Sequence, residues 1–175
     1  MNPQTGAPRF HYCPMCRASL FEKPEMDGII RQVCSQCGWR FYPHMAISVS
    51  AVLVLEGKVL LVKRGHEPFP GTWMFPSGFL EYGEHPEEGV LREFKEETNL
   101  DARVCDLLGI YRSEDDPREP NHVAMFYRIS DASGELLNDE NENEAVSWFP
   151  VNQLPKIELA NHLRVAQKVS IPSKT

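Results

Sequence analysis

The stretch Gly78–Leu100, GFLEYGEHPEEGVLREFKEETNL, decides the reading of this chain. It places Glu93, Glu96 and Glu97 within two turns of a predicted helix over 86–98, directly after a glycine-bearing loop. Positions i, i+3 and i+4 share one face of an α-helix, so the three carboxylates project together. Gly89, one turn earlier on that face, carries no side chain, so the cluster begins at Glu93. Val90, Leu91, Phe94 and Thr98 fall on the neighbouring arc, where they can pack on a core. Like charges at this spacing repel, so the arrangement is cheap only if the carboxylates face water or share a cation. Hard oxygen donors suit Mg²⁺ or Mn²⁺. Spacing alone also describes a solvated acidic helix face.

The register around the glutamates separates these readings. Gly78, Glu84, Arg92, Glu93, Glu96, Glu97 and Leu100 resemble, position for position, the Nudix box: Gly, five residues, Glu, seven residues, Arg-Glu, a hydrophobic residue, any residue, Glu-Glu, any residue, Gly, and a hydrophobic residue. Phe94 stands where an aliphatic residue is usual, and Asn99 where the last glycine is usual. Asn tolerates a left-handed conformation, so a helix C-cap at Asn99 is consistent with the pattern.

Four of the five cysteines form a second pattern: Cys13-Pro-Met-Cys16, seventeen residues, then Cys34-Ser-Gln-Cys37. Two such knuckles read as a tetrahedral Zn²⁺ site, each turn supplying two sulfurs. Four thiolates leave no open position on the ion, so the expected role is structural. Cys105, among Val104, Leu107 and Leu108, reads as a small buried hydrophobe.

The 175 residues suit one medium domain plus a small module, and 42% hydrophobic residues allow a proper core. The net charge of −7 is unevenly divided: residues 1–45 carry +2 and the remainder −9. An acidic main domain argues against bulk nucleic-acid binding, which needs a basic footprint. No apolar run approaches the roughly 20 residues of a membrane span, and the N-terminus lacks a signal-peptide core. The expected location is the cytoplasm, with thiols reduced. The expected partner is a small-molecule nucleotide, with a homodimer admitted and no membrane.

Along the chain, residues 10–41 form the Cys module, too poor in apolar residues to fold without its metal. Residues 46–55 and 58–64 read as a hairpin turned at Glu56-Gly57. A short extended piece over 71–76 and a loop over 77–86 precede the acidic helix. Strands are expected over 102–112, 122–130 and 146–149, with an acidic loop over 134–144 and a closing helix over 158–169. The fold class is α+β. The resemblance implies a Nudix α/β/α sandwich over 46–170, preceded by a zinc ribbon over 10–41. It places the chain near the ADP-ribose, FAD and NADH pyrophosphatase branch. The SQPWPFPxS array of NADH pyrophosphatases does not follow Leu100, which weighs against NADH-specific activity.

Site residues follow in part from this resemblance. It implies metal-dependent hydrolysis of the diphosphate linkage of a nucleoside diphosphate derivative, with Glu93, Glu96, Glu97 and the carbonyl of Ser77 as Mg²⁺ or Mn²⁺ ligands. Arg92 is expected to orient a box carboxylate, and Glu84 to brace the helix. ENEAVSWF (142–149) resembles the loop of the ADP-ribose pyrophosphatase group, which implies Glu142 as general base and Glu144 as a further metal ligand. Arg64 and Arg112 are expected to contact phosphates, and Phe69 and Trp73, with Phe75, Tyr111 and Phe126 as further candidates, to stack a base, although an aromatic on a strand is more often core. A nucleoside-triphosphate clean-up pyrophosphatase and a zinc-ribbon sensor that binds nucleotide without turnover are the alternatives. The intact glutamate set disfavours the sensor.

Overall fold

The computed structural model of the chain describes residues 9–113, 116–117 and 121–170. They fall into two compact units, the first ending at His44 and the second beginning at Met45. In the first unit, β1 (Leu20–Pro24) and β2 (Ile30–Cys34) form an antiparallel hairpin pairing Leu20 with Cys34 and Pro24 with Ile30. Its turn is closed by Asp27, whose Oδ1 accepts the Ile29 N–H at 3.0 Å. The buried apolar residues described in this unit are Cys13, Val33 and Cys34, too few to make a core without cross-linking.

The second unit is built on a seven-stranded mixed sheet: β3 (Ile47–Leu55), β4 (Lys58–Arg64), β5 (Trp73–Met74), β6 (Ser77–Phe79), β7 (Asp101–Ser113), β8 (His122–Ser133) and β9 (Asn143–Pro150). The order is β5-β4-β3-β8-β7, with β6 pairing β3 and β9 pairing β4. β3 and β8 run parallel, Val49 opposite Met125, and the other pairs are antiparallel. The β3–β4 hairpin turns at Glu56 and Gly57, both with positive φ, which is the backbone twist a two-residue hairpin turn requires.

Side chains alternate across β3 and so divide the core in two. Val49, Ala51 and Leu53 pack with Val90 and Phe94 of α1 (Pro86–Thr98). Val52 packs with Phe75, Phe126, Val165 and Ala166 on the face covered by α2 (Ala160–Val169). The result is the expected sandwich of helix, sheet and helix.

α1 occupies its expected span because both ends are specified locally. Pro86 opens it, His85 Nδ1 accepts the Glu87 N–H, and Glu88 reaches back to the His85 N–H. Asn99 ends it in the left-handed region at φ 60°, its N–H bonding the Lys95 carbonyl at 2.8 Å. Elsewhere the boundaries move. The first three residues of the expected 77–86 loop pair with β3 as β6. β9 begins at Asn143, not Val146, because Arg64 of β4 extends the pairing to it across a bulge. Cys105 is exposed and not buried: the β7–β8 register passes from Val104 to Asp106, leaving Cys105 as the bulge residue, with its thiol 3.0 Å from Ser130 Oγ.

Candidate active site

β6 and α1 bring their functional residues together at a cavity of about 580 Å³ in the second unit. Ser77, Gly78, Glu93, Glu97 and Glu142 all line it. Glu97 is 3% exposed and Glu93 8%. Glu97 Oε2 accepts the Ser77 N–H at 2.6 Å, and its Oε1 accepts from Asn143 Nδ2 at 3.1 Å. Burial pushes the Glu97 carboxyl up to about 8, with Glu93 and Glu142 adding to the rise and the two hydrogen bonds opposing it. Burial also raises Glu93, against the pull of Arg92.

Gly78 is required by this geometry. A Cβ there would stand 2.2 Å from the Glu93 carboxyl carbon, so only glycine lets the helix carboxylate lie against β6. Gly89 has a similar reason: a Cβ would meet Leu80 at 2.3 Å and Glu84 Oε2 at 2.9 Å.

Arg92 ties loop, strand and helix into one network. Its guanidinium makes a bidentate pair with Glu84 at 2.7 and 3.0 Å and donates to the Phe79 carbonyl at 3.2 Å. One terminal nitrogen reaches Glu93 at 2.7 Å and Glu96 at 2.9 Å. The hydrogen bonds from Arg92, helped by the Glu81 backbone, hold the Glu84 carboxyl well down, at about 2. Glu96 lies on the exposed edge of α1, held by Arg92, and does not line the cavity.

The second glutamate of the 142–144 segment is displaced from its expected place. Glu142 faces the cavity, and its carbonyl accepts the Gly65 N–H at 3.0 Å. Glu144 sits on β9, where neighbouring side chains alternate, and it pairs with Lys63 at 2.6 Å instead of joining Glu93 and Glu97. Asn143, which sequence reasoning passed over, is the residue of this segment that bonds Glu97. An Asn between two glutamates reads as solvated loop, so no local signal distinguished it.

Of the expected substrate contacts, Arg64 and Phe69 line the cavity. Arg64 is held by the Pro68 carbonyl at 2.7 Å and the Glu67 carbonyl at 3.3 Å. Phe69 has φ 63°, an unusual backbone for an aromatic residue. Trp73 does not line it; its ring packs edge-on against Phe149 at 4.6 Å, over the α2-side core. Arg112 does not line it either, and donates to Asn121 Oδ1 at 2.8 Å. Sequence reasoning also missed Asp116, His122 and, on α2, His162, which are buried and line the cavity. They are scattered along the chain, and only the fold assembles them.

In the first unit the sulfurs of Cys13, Cys16, Cys34 and Cys37 all lie within 4.8 Å of one another. Cys13 and Cys37 are 3.6 Å apart, and Cys16 and Cys34 3.4 Å. Sulfurs around a tetrahedral Zn²⁺ with bonds of about 2.3 Å would stand about 3.8 Å apart, so the cluster has the dimensions of such a site. Each knuckle closes on a left-handed residue, Arg17 or Gly38, whose N–H returns to the carbonyl of the knuckle's first cysteine.

The NUDIX domain family model matches residues 44–169. The chain belongs to the Nudix family. It is 42% identical over 120 residues to an ADP-ribose pyrophosphatase of Methanocaldococcus jannaschii, a match covering 68% of this chain and 70% of that protein. It is 32% identical over 134 residues to the NAD-capped RNA hydrolase NudC of Pseudomonas aeruginosa, covering 74% of this chain but only 46% of NudC. A solved NUDIX hydrolase from Nitrosomonas europaea superimposes with a TM-score of 0.76 at 26% identity, covering 92% of this chain and 90% of that one. The NUDIX domain of Shewanella oneidensis NrtR, solved with ADP ribose, has a TM-score of 0.62 at 27% identity over 73% of this chain and 88% of that one. Within this Nudix domain two box glutamates, Glu93 and Glu97, line the cavity together with Glu142. Among the described residues, no helix is long and apolar enough to cross a membrane.

Proposed function

We propose that this Nudix pyrophosphohydrolase cleaves the diphosphate linkage of a nucleoside diphosphate derivative of the ADP-ribose type, using Mg²⁺ or Mn²⁺. The observation that carries the reading is Glu97. It is a buried carboxylate whose two hydrogen-bond donors, the Ser77 N–H and the Asn143 amide, are both neutral. A buried charge facing Glu93 and Glu142 without a cation of its own is costly, and an all-oxygen donor set fits a hard divalent ion. Glu93 and Glu97 would hold such an ion, with Ser77 adjoining. Bound there, it would neutralise phosphate oxygens and lower the pKa of an attacking water.

The chain's own residues divide the remaining work. Glu142 accepts the proton of the attacking water. Arg64 meets the anionic phosphates, and Phe69 offers a ring face to the base. Arg92 keeps Glu93 and Glu96 in place from outside. The relatives' names and the NrtR domain solved with ADP ribose support an ADP-ribose-type ligand. Residues 10–41 serve as a structural zinc ribbon and residues 46–170 as the hydrolase domain. The test is a substrate panel of ADP-ribose, FAD, NADH and nucleoside triphosphates with Mg²⁺ or Mn²⁺, reading AMP, phosphate and diphosphate release. AMP from ADP-ribose is expected; turnover of triphosphates alone, or of nothing, would replace this reading.

A further inference from the structure

Asn143 is 5% exposed and lines the same cavity as Glu97. Its Nδ2 lies 3.1 Å from Glu97 Oε1, while the Ser77 N–H takes Oε2. Asn143 is itself held on both sides of its backbone. Its N–H bonds the Asp139 carbonyl at 2.9 Å, and its carbonyl accepts from Asn138 Nδ2 at 2.8 Å. As the first residue of β9 it is also anchored opposite Arg64. The backbone of Asn143 is thus placed by three partners, and from that position its amide turns the Nδ2 donor toward Glu97.

We infer that Asn143 is a positioning residue for the metal-binding carboxylate Glu97, the amide fixing Oε1 so that the free lone pairs of Glu97 aim into the cavity. This rests on the proposed role of Glu97 as a ligand. Partners that orient a ligating carboxylate are part of a metal site's affinity, and their loss typically weakens binding about 10–100-fold. The arrangement also accounts for an amide between two glutamates. A carboxylate at 143 would repel Glu97 where the amide donates to it. Because Asn143 adjoins Glu142, the same short segment sets both the helix carboxylate and the proposed base.

The test is Mn²⁺ titration of the zinc-loaded full chain, following the electron paramagnetic resonance signal of the free ion. The variants are Asn143→Leu, Asn143→Ser, Glu97→Gln and the Asn143 changes combined with Glu97→Gln. Leu removes the donor while keeping the branched four-atom side-chain skeleton; Ser is the smaller alternative if Leu does not fold, as judged by circular dichroism. Expected is a loss of about 10–100-fold in Mn²⁺ affinity for the Asn143 variants. Little further loss should appear in the Glu97→Gln background, the signature of one residue acting through another. Wild-type Mn²⁺ affinity in a folded Asn143 variant, beside a weakened Glu97→Gln, overturns the inference and leaves the proposed function standing. Additive losses also overturn it, since Asn143 would then act by a separate route. Wild-type affinity in Glu97→Gln itself removes Glu97 as a ligand, and both readings fall.

Discussion

At the residue scale, Glu97 and Glu84 give opposite pH signatures that chelator-treated protein should reveal. Burial raises Glu97 from an ordinary 4.5 to about 8 in the fold. Between those values the folded state keeps a proton that the unfolded chain has released, so metal-free stability falls as pH rises through that window. Glu84 is lowered from 4.5 to about 2 by Arg92, so its stabilisation is present above 4.5 and is lost as pH falls toward 2. Metal-free protein should therefore be most stable in the weakly acidic range, and Glu97→Gln should flatten the alkaline side. Melting temperatures in chelator across this range check it; an unchanged alkaline slope in Glu97→Gln would assign the loss elsewhere. Divalent metal should remove the same slope, because a bound cation favours the ionised carboxylate. Under turnover conditions Glu97→Gln and Glu93→Gln should each lose about a hundredfold or more in rate while remaining folded. Wild-type rates at saturating metal would remove this helix from the chemistry. Gly78→Ala makes the same point sterically: its methyl must displace Glu93, so metal affinity and rate should drop together without global unfolding.

At the element scale, α1 is held in place by its caps and by Arg92. Arg92→Lys keeps the charge but loses the planar fork that bonds Glu84 twice while reaching Phe79, Glu93 and Glu96. It should cost about 2 kcal/mol in urea unfolding, on the scale of hydrogen bonds to charged groups, and lower the rate as Glu93 loosens. A stability within error of wild type would show that a point charge suffices. This element was the most legible part of the sequence, since Pro86, the 3.6-residue period and Asn99 are local signals that the tertiary fold did not override. The β3–β4 hairpin was legible for the same reason, through its two-residue turn. The 142–150 segment was not. Where β9 begins depends on its pairing with β4, a long-range contact, and a shift of start changes which residues face the site. That is why Glu142 meets the cavity, Glu144 pairs with Lys63, and Asn143 emerges as the partner of Glu97. Trp73 and Arg112 were misplaced because residue type alone cannot tell a core aromatic or a surface guanidinium from a ligand contact.

At the scale of the whole molecule, the two units are stabilised by different physics. The second has two apolar clusters, on the α1 and α2 faces of its sheet, that hold it together without metal. Among the described residues the first buries only Cys13, Val33 and Cys34 as apolar residues, so its fold must draw on the four converging sulfurs. Burial at Cys34 is outweighed by N–H groups of its own knuckle, chiefly that of Cys37, which lower its thiol to about 6, so one ligand is ready to ionise at neutral pH. Zinc should accordingly bind with release of protons from the remaining thiols. Protein purified without chelator should contain one Zn²⁺ per chain by elemental analysis, separate from any Mg²⁺ or Mn²⁺. Cys13→Ser or Cys34→Ser should remove it and unfold residues 10–41 while the hydrolase unit keeps its cooperative melt. Amide hydrogen exchange resolves the two units directly: protection should vanish across β1 and β2 and persist in β3, β4 and β8. A zinc-free wild-type preparation would refute the ribbon. Loss of protection in β3 and β8 along with β1 and β2 would instead show that the hydrolase unit depends on the ribbon for its stability.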